Sequence, residues 1–144
     1  MVVVCKARQA ARADIPGMHR VRLAVKENML SSPDRVSEAD YISSIEVNGR
    51  GWVAESGDNI VAFAIGHATD GNIWALFVDP AYEGRGLGRR LNDTMVEWLK
   101  DQGLKKLWLS TDPDSRAAGF YTAVGWRHAG MTGHGEARFE LDIA

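Results

Sequence analysis

The 144-residue chain predicts an α/β protein of the α+β type: one domain over residues 1–144, with a mixed central sheet of about six or seven strands and helices on both faces. Three observations carry this reading. Residues 59–68 are apolar on both strand faces, which suits the centre of a sheet. Residues 88–102 place Leu91, Met95, Trp98 and Leu99, with Leu87 just ahead, on one helical stripe. No repeat, low-complexity tract or linker interrupts the order β-α-α-β-β-β-α-β-α-β-β.

Residues 2–7, beginning Val2-Val3-Val4-Cys5, read as the first strand. Asp14 can cap a helix with Pro16 in its first turn, and Ile15, Met18, Val21 and Val25 keep helical spacing beyond it. Residues 28–33 break the chain. Ser37 with Asp40 has the form of a helix-start box, followed by the apolar stripe Tyr41, Ile42 and Ile45 and closed by Asn48-Gly49. Strands at 51–55 and 59–68 flank Ser56-Gly57-Asp58, a hairpin signal, and Thr69-Asp70-Gly71 turns the chain into a strand over 72–78. Gly103 stops the long helix. Residues 105–110 form the next strand, 115–124 a short helix closed by Gly125, and 126–130 with 137–143 a last strand pair around the glycine-rich stretch 131–135. In the last strand Phe139, Leu141 and Ile143 alternate with Arg138, Glu140 and Asp142, so one face is expected to meet solvent.

Bulk properties exclude several classes. A net charge of −2 gives no reason to expect nucleic acid or an anionic membrane as partner. Cys5 is the single cysteine, so no intramolecular disulfide can form, and its apolar neighbours read it as a small buried hydrophobe rather than a nucleophile. No apolar run approaches the roughly 20 residues of a membrane span. The first residues lack a signal-peptide pattern, because their short apolar run meets Lys6 and Arg8 at once. The expectation is a soluble cytoplasmic protein.

The chemistry concentrates at Val78-Asp79-Pro80-Ala81-Tyr82-Glu83-Gly84-Arg85-Gly86-Leu87-Gly88-Arg89-Arg90-Leu91. A strand end, a proline turn and three alternate glycines lead directly into a helix. Glycine lets main chain approach a ligand, and the helix start offers unpaired N–H groups at its positive end, so the stretch is a seat for a pyrophosphate. A P-loop would need Lys-Ser/Thr after its last glycine, where Arg89-Arg90 stands, and a dinucleotide fingerprint would space its third glycine further away. A purely structural strand-to-helix turn is the bland alternative.

Val78-Asp79-Pro80-x-Tyr82-x-Gly84-Arg85-Gly86-Leu87-Gly88 resembles motif A of the GNAT superfamily of acyl-CoA-dependent N-acetyltransferases. Asp114-x-x-Ala117-x-x-Phe120-Tyr121-x-x-x-Gly125-Trp126 resembles that family's second hallmark, and the two stand in the family's order. The resemblance extends to the element order of the whole chain. It implies a GNAT-like domain that uses acetyl-CoA as co-substrate, with no metal, and passes the acetyl group to a primary amine of a small molecule, peptide or protein.

It also implies roles. Main-chain groups of Leu76, Phe77 and Val78 would meet the pantetheine amides and the thioester oxygen. Amides from Gly84 through Arg85, Gly86, Leu87 and Gly88 to Arg89 would cradle the pyrophosphate, and Asp114 would lie near the pantetheine arm and could cap the following helix. Tyr121 would be the general acid that protonates the departing thiolate, since a phenol with a reference pKa of about 10 is protonated at neutral pH. Two positions depart from the family pattern: Glu83 where Gln or Arg is usual, and Asp114 where Asn is frequent.

The general base stays open. The position that aligns with the family's strand glutamate is Asn72, which cannot act as one. His67 has a suitable reference pKa but reads as a satisfied buried histidine, and Glu55, Glu46 and Glu27 read as surface charges. The amine site would be walled roughly by residues 25–37 and 131–135, in or beside which stand Glu27, Asp34, Arg35, Glu38 and His134, while Trp74 reads as a core aromatic that could also line the site. Family members often pair through their sheets, so a homodimer is one option. Two other functions stay in view: a non-catalytic acyl-CoA-binding or sensing module, and an interaction protein whose glycine loop is structural.

Overall fold

A computed structural model describes residues 6–25 and 36–143. Strand β1 (Lys6–Gln9) leads through a 3₁₀ turn, Arg12–Asp14, into helix α1 (Ile15–Ala24). Helix α2 (Glu38–Ile42) continues as a π turn, Ser43–Asn48, into strands β2 (Gly49–Ser56), β3 (Asn59–His67) and β4 (Ile73–Val78). Helix α3 (Leu87–Asp101), strand β5 (Lys106–Thr111), helix α4 (Arg116–Ala123) and strands β6 (Arg127–Met131) and β7 (Ala137–Asp142) complete the order. Residues 2–5 of the expected first strand, Cys5 among them, and the expected break at 28–33 lie outside the described residues.

The mixed sheet comes in two parts. β1-β2-β3-β4 form an antiparallel sheet, and β5-β7-β6 form a second one. Among the described residues the two are joined by one parallel bridge, Asn72 to Trp108. Trp108 is stitched there by three bonds: its amide donates to the Gly71 carbonyl (3.0 Å), its indole N–H to the Asp70 carbonyl (3.1 Å), and its carbonyl accepts from Asn72 Nδ2 (3.4 Å).

β3 is apolar on both faces because each face meets a different layer. Ala62 and Ala64 belong to the cluster built on Leu87, Leu91, Met95 and Leu99 of α3, whereas Phe63 and Ile65 belong to the cluster of Ile15, Met18 and Val21 of α1 with Tyr41. All four β3 residues are fully buried. The last strand departs from its simple alternation. Glu140 faces outward, yet Arg127 (2.9 Å), Arg138 (3.0 Å) and Lys106 (3.6 Å) surround it. The hydrogen bond from Arg138, aided by the other cations, holds its carboxyl below the usual range.

The helix-start box at Ser37 is formed: its hydroxyl accepts from the Asp40 amide (3.1 Å) and the Asp40 carboxylate accepts from the Ser37 amide (2.8 Å). Asp14 is a correction. It precedes α1 but makes no side-chain cap there. Its carboxylate instead accepts from the Ala11 amide (2.8 Å) and from two Arg8 nitrogens (2.8 and 2.7 Å), so it closes the preceding 3₁₀ turn and ties that turn to β1. A carboxylate spends its acceptors where donors converge, and here a strand cation outcompetes the free amides of the helix.

The Arg8 hydrogen bonds and the Ala11 amide hold the buried Asp14 carboxyl below its ordinary value. Its stabilisation is therefore present above the unfolded carboxylate pKa of about 3.9 and is lost as pH falls through the depressed folded value. Asp14→Asn is expected to lower stability by about 1–3 kcal/mol at neutral pH, with the gap to the wild type closing in acid, as read by urea unfolding across pH.

Candidate active site

Beyond the bridge at Asn72, β4 and β5 are the facing edges of two sheets, and the gap between them opens into a cleft of about 1130 Å³. Ile73 to Val78 form one wall, and Leu109, Ser110 and Thr111 form the other. Edge strands carry backbone N–H and C=O groups with no ladder partner on the open side. The cleft is thus walled by main-chain donors and acceptors that an extended, amide-bearing ligand can complete.

The glycine turn closes one end. Asp79 anchors it: its amide donates to the Val61 carbonyl (2.8 Å), and its carboxylate accepts from the Ala81 amide (2.9 Å). The chain then passes through Gly84 at φ +76° and Gly86 at φ +81°, a region that side chains disfavour. A Cβ built on either glycine meets nothing within 4 Å, and both residues line the cleft, so a side chain there would occupy ligand space. Gly88 differs from both: a Cβ there would reach ordinary contact with the Phe120 ring at 3.4 Å, where α3 meets α4. The first helical bond of α3 runs from the Arg90 amide to the Gly86 carbonyl (3.0 Å), which leaves the amides of Leu87, Gly88 and Arg89 free of intrahelical partners.

Tyr121 sits on α4, 5% exposed, and lines the cleft. Its ring is edge-on to Phe120 (5.3 Å) and Trp126 (5.5 Å) and tilted against Phe139 (6.2 Å). Burial alone pushes its phenol well above the ordinary value, so it stays protonated across the neutral range.

Of the residues expected at a cofactor site, Leu76, Phe77, Val78, Gly84, Gly86, Leu87, Gly88, Arg89 and Asp114 line the cleft together with Tyr121. Arg85 does not; its guanidinium lies over the Tyr82 ring, 5.0 Å from the centroid. The expected cap by Asp114 is a correction, because Ser115 accepts from the Ala118 amide (3.2 Å) and caps α4. Asp114 is instead turned by its own amide, which donates to Asp112 (2.9 Å). Glu83 pairs with Arg116 at the start of α4, so its charge is met by a cation from the second motif.

The base candidates disperse. His67 Nε2 meets Ser44 Oγ at 3.0 Å, its ring stacks on Trp74, and it does not line the cleft; burial lowers its pKa, with Asp70 opposing. Glu55 pairs with Arg8 and Glu46 with Arg12, each at 2.5 Å. Glu38 lines a separate, smaller pocket with Arg12, Pro16 and His19, while Glu27, Asp34 and Arg35 lie outside the described residues. His134 and Trp74 do line the cleft.

Charged cleft residues that escaped the sequence reading include Asp112, Arg116, Glu136 and Arg22. Glu136 lies one position past the glycine-rich stretch and carries no motif. Arg22 had a signal, since it follows Met18 by four positions and Ile15 by seven, which puts a charged residue on the apolar stripe of α1.

The sequence pattern of the acetyltransferase (GNAT) family matches residues 20–126. The chain belongs to that family. It is 32% identical over 75 residues to the [Ribosomal protein bS18]-alanine N-acetyltransferase of Salmonella typhimurium, covering 50% of this chain and 51% of that protein. It is also 37% identical over 54 residues to an uncharacterized ycf52-like N-acetyltransferase of Prochlorococcus marinus, covering 38% of this chain and 29% of that protein. The matched stretch thus spans about half, or less, of these relatives. The fold is that of the PaiA N-acetyltransferase from Thermoplasma acidophilum, solved in complex with coenzyme A: TM-score 0.81, 14% identity, covering 97% of this chain and 99% of that one. Among the described residues no helix is long and apolar enough to cross a membrane, and no cluster of side chains is arranged to hold a metal.

The two kinds of glycine in the family member's α helices and turn separate by test. Gly86→Ala places a side chain at φ +81° and is expected to cost about 1–2 kcal/mol. Gly119→Ala, exposed inside α4 with open space around it, is expected to be neutral or to stabilise by up to about 1 kcal/mol. Urea unfolding of both variants measures the contrast.

Proposed function

We propose that this protein is an N-acetyltransferase that moves an acetyl group from acetyl-CoA to a primary amine by direct transfer. The observation that carries the reading is the cleft between two strand edges, with a glycine turn at a helix start at one end and a buried tyrosine on its lining. The family membership and the coenzyme A complex of the Thermoplasma structural relative support the same donor.

In this reading the unpaired amides of Leu87, Gly88 and Arg89, with the glycine turn, hold the pyrophosphate, and Arg89 adds charge at the same end. The open edge of β4 at Leu76, Phe77 and Val78 pairs with the pantetheine amides as an added strand would, and one of its N–H groups serves the thioester oxygen. Acetyl-CoA supplies an activated acyl group. A neutral amine forms the new C–N bond as the C–S bond breaks. The extra proton on nitrogen passes to water or to a cleft carboxylate such as Glu136, and the departing sulfur takes the proton of Tyr121, which solvent replaces. The acceptor belongs to the small-molecule, peptide or protein amines; the relatives named for acting on ribosomal protein bS18 show one such class among similar proteins.

A raised phenol pKa suits this role in one way and taxes it in another. The proton is always present at neutral pH, yet the group is a weaker acid, so it works best by hydrogen-bonding to sulfur as charge develops. Tyr121→Phe is expected to lower kcat by about 10²–10⁴-fold while the Kd for CoA, by calorimetry, changes little. The wild-type rate should show no alkaline fall assignable to Tyr121 below about pH 10, because its folded pKa lies above the reference value. Unchanged turnover in Tyr121→Phe removes the tyrosine from the mechanism. Absence of CoA binding to the wild type removes the whole reading and favours a structural glycine loop, whereas tight CoA binding without thiol release on any amine favours a sensing module.

A further inference from the structure

Among the described residues, one cation of the cleft has no counter-charge. Arg22 is only 8% exposed, yet among the described residues its one hydrogen bond runs from Nε to the Tyr41 hydroxyl (3.1 Å). Nη2 is buried with no hydrogen-bond partner. Four rings hold the guanidinium in place instead: its Cζ lies 4.8 Å from the Trp74 centroid, 4.9 Å from Phe77, 5.6 Å from Tyr41 and 5.9 Å from Phe63. Arg22 lines the same cleft as Tyr121.

A buried cation is costly unless an anion or several acceptors meet it, and ring faces compensate only in part. The geometry also fixes which edge is available. Arginine cannot accept a hydrogen bond, so the Tyr41 oxygen accepts from Nε and the Tyr41 hydroxyl is left to donate to His19 Nδ1, 3.0 Å away. Burial raises the Tyr41 pKa, with Arg22 opposing, which keeps it a neutral phenol. Nε is therefore committed, and among the described residues the terminal nitrogens are the ones left for a ligand. The other arginines of the cleft, Arg89 and Arg116, belong to its glycine-turn end, and Arg116 already meets Glu83. One oriented guanidinium, with no second cation beside it among the described residues, suits a monoanion, and its planar fork matches a carboxylate.

We propose that Arg22 receives a carboxylate of the acceptor, so that the substrate class is a primary amine carrying a carboxylate, as a free amino acid or as an acidic peptide. The inference rests on the acetyl-transfer reading above. It adds a substrate-positioning role for α1, since a carboxylate seated on Arg22 beside Phe77 lies against the strand whose edge is assigned to the donor.

The test is thiol release by the purified full chain from acetyl-CoA, with primary amines offered in matched pairs of free acid and carboxamide. One arm uses amino acids of graded length, the other uses peptides that differ by Asp against Asn; the arm that responds identifies the source of the carboxylate. At least one pair is expected to favour the acid by about tenfold or more in kcat/KM, the effect of a hydrogen bond to a charged group. Arg22→Gln should abolish that preference and Arg22→Lys should retain part of it, with CoA affinity by calorimetry unchanged in both. A merely structural arginine would lower the rates of acid and amide together and leave their ratio alone. Should Arg22→Gln fail to fold, the wild-type ratio and Arg22→Lys still decide. CoA binding with amides used as well as acids, or with no acid used at all, overturns the role of Arg22 and leaves the donor reading standing. No CoA binding overturns the donor reading itself, and the acceptor role with it.

Discussion

β4 and β5 touch at Asn72 and Trp108 and then part, and the rest of the molecule is arranged around that parting. Two strand edges facing each other inside a protein would ordinarily pair, because an unmet backbone N–H or C=O is expensive away from water. Here they are kept apart while their near ends are stitched by the three bonds at Trp108. Helix α4 braces the opening from the side, with Tyr121 packed on Trp126 and on Phe139 of β7, and Phe120 lying against Gly88 at the start of α3. The cleft therefore follows from topology. Its chemistry, main-chain amides at defined spacing, belongs to the strand edges and not to particular side chains.

The two hydrophobic clusters divide the labour on either side of the first sheet. The α3 cluster continues into the second sheet, so the helix that begins at the glycine turn is anchored by Leu91, Met95 and Leu99, all fully buried. A helix held that firmly presents its N-terminal amides in one place. The α1 cluster is different in character, because Tyr41, Phe63 and Phe77 also surround the guanidinium of Arg22. Its polar rim is settled elsewhere: Asp14 is met by Arg8, and His67 by Ser44. Arg22 is the exception to that pattern, and it is the one of these groups that lines the cleft.

Much of this was legible in the residues. The central place of β3, the stripe on α3, the Ser37 box and the glycine turn were all readable, since each depends on local periodicity or backbone conformation. What was misread involved a choice between neighbours. Asp14 and Ser115 show the same contest: a short polar side chain near a helix start binds whichever donor the fold brings closest, and only the fold says which. Arg85 and Arg89 stand four residues apart, yet one lies on the Tyr82 ring and the other lines the cleft. The anion at Glu83, atypical for the family pattern, is met by Arg116, thirty-three positions away.

By itself the sequence determined the order of elements, the positions that must be glycine because the chain turns at positive φ, and the family, because periodicity, dihedral preference and motif spacing are all properties of short stretches of chain. Only the tertiary structure decided that the sheet divides, that Tyr121 is buried against three rings while still lining the cleft, and that Arg22 meets no anion among the described residues. Those outcomes depend on burial and on partners from distant elements, and desolvation and pairing are set by what surrounds a group in space, not by what stands beside it in the chain.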